Sequence, residues 1–293
     1  METRVEGEGE GESETAHASK RRKTDVPPKL SKRKVALLVA YNGGPYQGLQ
    51  KNPDATTVEE ALELAIHRAG GISDENVGTL QKVGWSRAGR TDKGVHAVGQ
   101  LISLKMMLPS GVLEEINRQL GEQPIRLLGC ERVINSFCAH TYCEGREYEY
   151  LLPTYVLRAS VKESEPTTEP LSSEELARLQ RLLKQLEGTH YFHNFTDGKL
   201  RHTDKQVALS PLTAHPLLPS PCAMLLSTSL AQAQRYIISI SASNAAPIQL
   251  VPCVSIRYRG QSFLLHQVRE CSQPDQAMPP KRLGGVASLR FAR

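Results

Sequence analysis

Residues Gly89 to Ala97 read GRTDKGVHA and set one carboxylate, Asp92, between the cations Arg90 and Lys93. Two readings fit this stretch. As a turn, Asp suits the opening position, Gly94 tolerates a positive φ, and Lys93 faces water. As chemistry, an aspartate near arginine stays ionised and can act as a nucleophile at a sugar carbon, with Gly94 letting a substrate backbone come close. A second candidate group is REYEY, in which Arg146 precedes Tyr148 and Tyr150. Alternating tyrosines make a strand that is half core and half surface; a tyrosine ring can also stack on a base while its hydroxyl carries a proton. The stretch HQVR offers Arg269, which by itself reads as a surface arginine on a helix. GTHYFHNF brings His190 and His193 together, but a metal site needs further ligands that the sequence does not place, so packing and local hydrogen bonds are expected of both.

These residues need elements to position them. VALLVAY, Val35 to Tyr41, is a short apolar run closed by NGG and reads as a buried strand followed by a turn. Thr57 and Glu60 have capping-box spacing; Ala61, Leu64, Ala65 and Arg68 recur at helical intervals, and Gly70 with Gly71 ends the run. GQLISLKM alternates as a half-buried strand does. Ser110 to Leu120 supports a second helix with Val112, Leu113, Ile116 and Leu120 inward. IRLLGCERV and REYEYLLP read as strands. SSEELARLQRLLKQLEG is the clearest helix: Ser172 and Glu175 cap it, and Leu176, Leu179, Leu183 and Leu186 share one face. RYIISIS and CVSIRYRG are strands, and QSFLLHQVR has the apolar spacing of a helix start. Strands and helices mix without strict βαβ alternation, which predicts an α+β protein with mainly antiparallel sheet in two halves rather than a Rossmann fold. Neither GxGxxG nor GxxxxGK[ST] occurs, so dinucleotide and P-loop chemistry are not indicated.

The chain's 293 residues allow one large or two modest domains, and 39% hydrophobic with 23% charged content is that of a globular protein. No apolar run approaches a membrane span, and no signal peptide layout opens the chain, so an intracellular, non-membrane protein is expected. Six scattered cysteines without a CxxC pair fit reduced thiols. Residues 1 to 33, a Gly-Glu repeat followed by SKRRKTDVPPKLSKRK, are too charged and too proline-rich to bury a core and are expected to be disordered. The clusters KRRK and KRK read either as a two-part nuclear localisation signal or as a solvated basic tail that adds affinity for RNA. The acidic start argues against a mitochondrial presequence. A net charge of +5 despite that acidic start makes the body more basic, which suits a polyanionic partner.

Taken in order, VALLVAYNGGPYQGLQKNP, WSRAGRTDKGVHAVGQLISLK, INRQL, IRLLGCERV, REYEYLLPT, GTHYFHNFT, RYIISI and GQSFLLHQVR resemble the TruA family of tRNA pseudouridine synthases, most closely its eukaryotic branch. The resemblance runs from Lys34 to about Arg269 with one interruption. It implies the pseudouridine synthase fold: two α/β halves around a largely antiparallel central sheet, with a basic cleft for folded RNA. It implies that Asp92 is the nucleophile, that Arg90 helps to flip the target uridine out of its stack, and that Tyr148 packs on the flipped base and takes part in proton transfer at C5. Lys93 belongs to the same RNA-binding motif. Arg269 matches the arginine that pairs with the aspartate. The implied reaction breaks the N1–C1′ bond of uridine, turns the uracil over and rejoins it through C5, an isomerisation for which no cofactor is required. The implied partner is tRNA, with small nuclear RNA or mRNA as further candidates.

The expected organisation is a tail over 1–33, a catalytic half over 34–140, a second half over 141–270 and a divergent tail over 271–293. Two departures from the family pattern stand out. A Pro, Ser and Leu-rich insertion lies near 199–233 and is expected to form a surface loop. After HQVR the chain carries Pro274, Pro279 and Pro280, which cannot continue a buried helix. The C-terminal half is therefore expected to be incomplete, as in an alternatively spliced product. That leaves two rivals to an active isomerase: a catalytically defective RNA-binding form of the same fold, and a nucleoside hydrolase that lets water end the reaction.

Overall fold

The computed structural model describes residues 30–158, 169–196, 233–272 and 286–288. The KRRK cluster, most of the insertion and the three tail prolines lie outside them. Among the described residues nine strands form one sheet: β1 (Arg33–Tyr41), β2 (Ser86–Arg87), β3 (His96–Met106), β4 (Ile125–Arg132), β5 (Arg146–Pro153), β6 (Gly188–Tyr191), β7 (Gln234–Ile248), β8 (Val251–Gly260) and β9 (Val286–Ser288). Their order is β4-β1-β3-β9-β5-β8-β7-β6, with β2 paired to β3. All pairings are antiparallel except that of β9 with β3. The fold is the α+β, largely antiparallel architecture expected from the strand and helix patterns.

β1 opens at Arg33, two residues before the apolar run. Lys34 is buried, and its Nζ donates to Gly84 O at 2.9 Å. The second basic cluster therefore runs into the sheet instead of belonging wholly to a tail. On one face of β1, Val35, Leu37, Val39 and Tyr41 are buried against α1 (Val58–Arg68) and α2 (Val112–Leu120).

α1 starts where Thr57 caps it, the hydroxyl accepting from Glu60 N at 3.3 Å. Its inward face differs from the one the apolar spacing indicates. Val58, Leu62, Ala65 and Ile66 are buried, Leu64 is exposed, and Glu59 and Glu63 are inside. Two buried carboxylates break a hydrophobic periodicity, and they are tolerated only because they are fully partnered. Glu59 accepts from Lys51 N at 2.9 Å and Trp85 Nε1 at 2.8 Å, and lies 2.5 Å from Arg87 Nε. Glu63 accepts from Gly78 N at 2.8 Å and from Lys51 Nζ at 2.5 Å.

The second half builds its own core. Tyr148, Tyr150 and Leu152 of β5, Val254, Ile256 and Tyr258 of β8, and Ile237 and Ile240 of β7 pack with α3 (Ser173–Lys184). α3 has the full capping box at Ser172 and Glu175 and turns Leu176, Leu179, Leu183 and Leu186 toward this core, as its sequence pattern requires. Gln180 fastens it to β7, donating to Ile240 O at 2.8 Å and accepting from Ala242 N at 2.7 Å. After β8, residues 261–266 form a loop rather than a helix start, and α4 (Gln267–Ser272) begins only at Gln267.

Candidate active site

The loop between β2 and β3 carries Asp92, and neighbouring elements pin it from several sides. Ala88 N donates to Leu101 O at 2.9 Å, and Gln100 Nε2 donates to Gly89 O at 2.9 Å. Thr91 is buried, with its hydroxyl 2.7 Å from that of Tyr41, and Thr91 O accepts from Leu49 N at 3.0 Å. Asp92 O accepts from Val95 N at 3.1 Å, and Gly94 sits at φ 77°. The turn reading of TDKG is therefore correct as geometry, and it is compatible with chemistry. The backbone turns so that the Asp92 side chain is left 40% exposed. Gly43 has to be glycine for this to fit, because a Cβ there would lie 2.0 Å from Val95 O. Arg90 and Lys93 on either side are both exposed.

Three described residues of the second half reach this loop. His266 Nε2 lies 3.6 Å from Asp92 Oδ2, an ion pair when the imidazole is protonated. Tyr148 brings its hydroxyl to within 3.9 Å of where a Cβ on Gly89 would be, and its ring meets Phe263 edge-on with centroids 5.0 Å apart. Burial pushes the Tyr148 hydroxyl up to about 12; Arg146 opposes this, and the Asp92 carboxylate adds to it. The phenol therefore keeps its proton at neutral pH. Arg146 ties the halves together, its guanidinium donating to Ala88 O from one nitrogen and to Gln261 O from another.

Asp92 and Tyr148 thus come to one place, with Arg90 two residues away on the same loop. Arg269 does not join Asp92: it is exposed on α4, and the basic side chain beside the carboxylate among the described residues is His266. The reason is the late start of α4, since His266 occupies the left-handed region at φ 62° and turns the chain immediately before the helix. His266 stands within the HQVR motif, but only the tertiary arrangement distinguishes it from Arg269. Arg146 was visible as part of REYEY, whereas its bridging role rests on two carbonyls 58 and 115 residues away.

The histidines of GTHYFHNF have local roles or none. His190 Nε2 is 2.7 Å from Glu187 O, and His193 is exposed. Among the described residues no cluster of His, Cys, Asp or Glu could hold a metal ion. The described cysteines are free thiols, and no described helix is long and apolar enough to cross a membrane.

No family model matches the chain. Curated proteins do. It is 35% identical over 263 residues to the mouse protein named Pseudouridylate synthase 1 homolog, a match covering 87% of this chain and 56% of that one. The human protein of the same name is 35% identical over 239 residues, 80% of this chain and 49% of that one. The tRNA pseudouridine synthase 1 of Saccharomyces cerevisiae is 50% identical over 131 residues, which is 44% of this chain and 24% of that one. The chain thus spans about half the length of the curated relatives it matches.

Proposed function

We propose that this chain, which belongs to the TruA family of pseudouridine synthases, isomerises uridine to pseudouridine in tRNA with Asp92 as the nucleophile. The observation that carries the reading is the meeting of a pinned, part-exposed carboxylate with a protonated tyrosine at the seam of two halves. Asp92 attacks at the sugar as the N1–C1′ bond breaks. The freed uracil turns over on the ring of Tyr148, and C5 then bonds to C1′ as the Asp92–C1′ bond breaks and the carboxylate is regenerated. C5 gives up its proton by way of the Tyr148 hydroxyl, and N1 ends protonated, so atoms and charge balance without a co-reactant. Arg90 and Lys93, exposed on the same loop, face the RNA, Arg90 filling the stack that the uridine leaves. Small nuclear RNA and mRNA are further substrates of the same chemistry, and the KRRK cluster suits a nuclear protein.

Tritium release from tRNA carrying 5-tritiated uridine tests this. Release is expected from the chain as it stands and is expected to fall by on the order of 10⁴ or more in Asp92→Ala, while tRNA binding persists. Release of free uracil instead would make the enzyme a hydrolase. A second reading has its own observation, the exposed Arg269 without a place beside Asp92: an RNA-binding protein with a defective centre. Normal tRNA binding with no tritium release selects it.

A further inference from the structure

A cavity of about 520 Å³ opens beside the Arg90 end of the loop, walled by the start of β1, the turn at Gly84 into β2 and the turn at 138–140. Lys34, Arg87, Arg90 and His140 line it together with the indole of Trp85 and the thiol of Cys138, and no acidic residue is among its described lining residues. The groups are held in place before any ligand arrives. Trp85 and Arg87 are fixed by the same buried carboxylate, Glu59. Cys138 Sγ lies 3.1 Å from Ser86 Oγ, which also accepts from His140 N at 3.2 Å. Glu59 offsets the charge of Arg87, so the excess positive charge comes from Lys34 and Arg90. Lys34 uses one N–H on Gly84 O and has two more to offer.

We propose that this cavity seats the ribonucleotide next to the target uridine, its phosphate toward Lys34 and Arg90 and its base toward Trp85 and Cys138. Cations with an aromatic wall are the combination that single-stranded RNA requires, one for the backbone and one for the base. A cavity of this volume is within the range of small-ligand sites. The placement follows from the loop. Arg90 and Asp92 are two residues apart, at most about 7 Å of chain, so a strand whose uridine reaches Asp92 passes Arg90 one nucleotide away. The inference rests on the isomerase reading and adds a contact outside the reacting centre, from residues of which only Arg90 also serves the flipping of the uridine.

Cys138 supplies the test. Hydrogen bonds from Ser86 and Thr141 bring its thiol down to about 7, whereas burial pushes Cys130 up and holds Cys271 at about 12. In the full chain at pH 7.5, Cys138 should therefore alkylate with iodoacetamide ahead of those two. The rate at each cysteine is read by peptide mass spectrometry, and tRNA binding by filter retention. Unmodified tRNA at about ten times its Kd is expected to slow Cys138 by about tenfold and to leave Cys130 unchanged. His140→Glu, which sets a carboxylate at an exposed position of the rim, is expected to weaken tRNA binding about tenfold and to lower the protection in step. Retained tRNA with Cys138 alkylating at its free rate overturns the proposal alone. Equal protection by uridine monophosphate overturns the flanking position. Failure to retain tRNA at all removes the isomerase reading and this inference with it.

Discussion

Asp92 and His266 face each other across 3.6 Å, yet the chain holds them by different means. On the Asp92 side, the residues from Ala88 to Val95 are bonded to β1, to β3 and to the segment before α1, and they stand on a core sealed by Glu59 and Glu63. On the His266 side, the described ties of the loop from Gln261 are mostly to its own neighbourhood: Leu264 N to Gln267 Oε1 at 2.7 Å, Gln267 N to Leu264 O at 3.2 Å and Glu270 N to His266 O at 3.0 Å, with Gln261 N on Tyr236 O at 3.2 Å, the bridge from Arg146 and the packing of Phe263 on Tyr148 reaching further. His266 also sits at φ 62°, a conformation that costs a non-glycine residue about 1–2 kcal/mol. A nucleophile must be in position before substrate arrives, because each misplacement raises the barrier. A group that only pairs with it can be brought in by a more adjustable segment. The difference assigns rigidity to the aspartate side and adjustability to the side that carries His266 and Arg269.

Breaking the rigid side should cost the most. Glu59→Gln removes the charge opposite Arg87 and leaves a single acceptor oxygen where Trp85 Nε1 and Lys51 N each have one. Loss of one partner of a buried ion pair costs about 3–5 kcal/mol, and a fall of that size in urea unfolding is expected. The same change at Glu175, whose carboxylate pairs with Arg158 at the surface, should cost far less, because solvent screens the pair. Equal losses at the two sites would remove the contrast.

Arg146→Ala cuts the one side chain that joins Ala88 O to Gln261 O. The halves should still fold, since each has its own core, but Tyr148 and His266 would lose their registration on Asp92. A misplacement of about 1 Å can cost about 10²-fold, so single-turnover tritium release should slow by that order while tRNA retention changes little. Arg146→Lys, with no second fork to bridge both carbonyls, should recover only part of it. A smaller change distinguishes the two basic groups near the adjustable loop. If the arrangement with His266 beside Asp92 persists when RNA is bound, His266→Ala should slow release by about tenfold and Arg269→Ala by less. The reverse order would mean that α4 turns Arg269 inward on binding.

Much of this contrast is visible in the sequence, because local features write themselves locally. Asp92 lies in a motif whose turn residues fit both readings, Tyr148 and Tyr150 share a face by strand alternation, and α3 announces its cap and its leucine stripe. What escapes is whatever depends on distant partners. Glu59 and Glu63 look like the solvent face of α1 until Arg87, Trp85, Lys51 and Gly78 are folded against them. His266 and Arg269 are three residues apart on an apparent helix start, and nothing local says that the chain will pass through a left-handed residue and delay the helix.

The mildest test of the contrast is acid. Glu175 accepts from Arg158 Nε and Nη2, both at 2.9 Å, and from Ser172 N at 2.8 Å. The Arg158 side chain, with Ser172 assisting, brings its carboxyl down to about 2 from an ordinary 4.5. Because the folded carboxylate holds its proton more weakly than the unfolded one, its stabilising contribution is fully present above pH 4.5 and is lost as the pH falls toward 2. Exposure to solvent keeps the contribution small, and salt should weaken it further. Between pH 5 and pH 2.5, the melting temperature of Glu175→Gln should therefore fall less steeply than that of the unaltered chain, with Arg158→Ala behaving alike. Superimposable slopes would place the acid sensitivity of the chain elsewhere than at this pair.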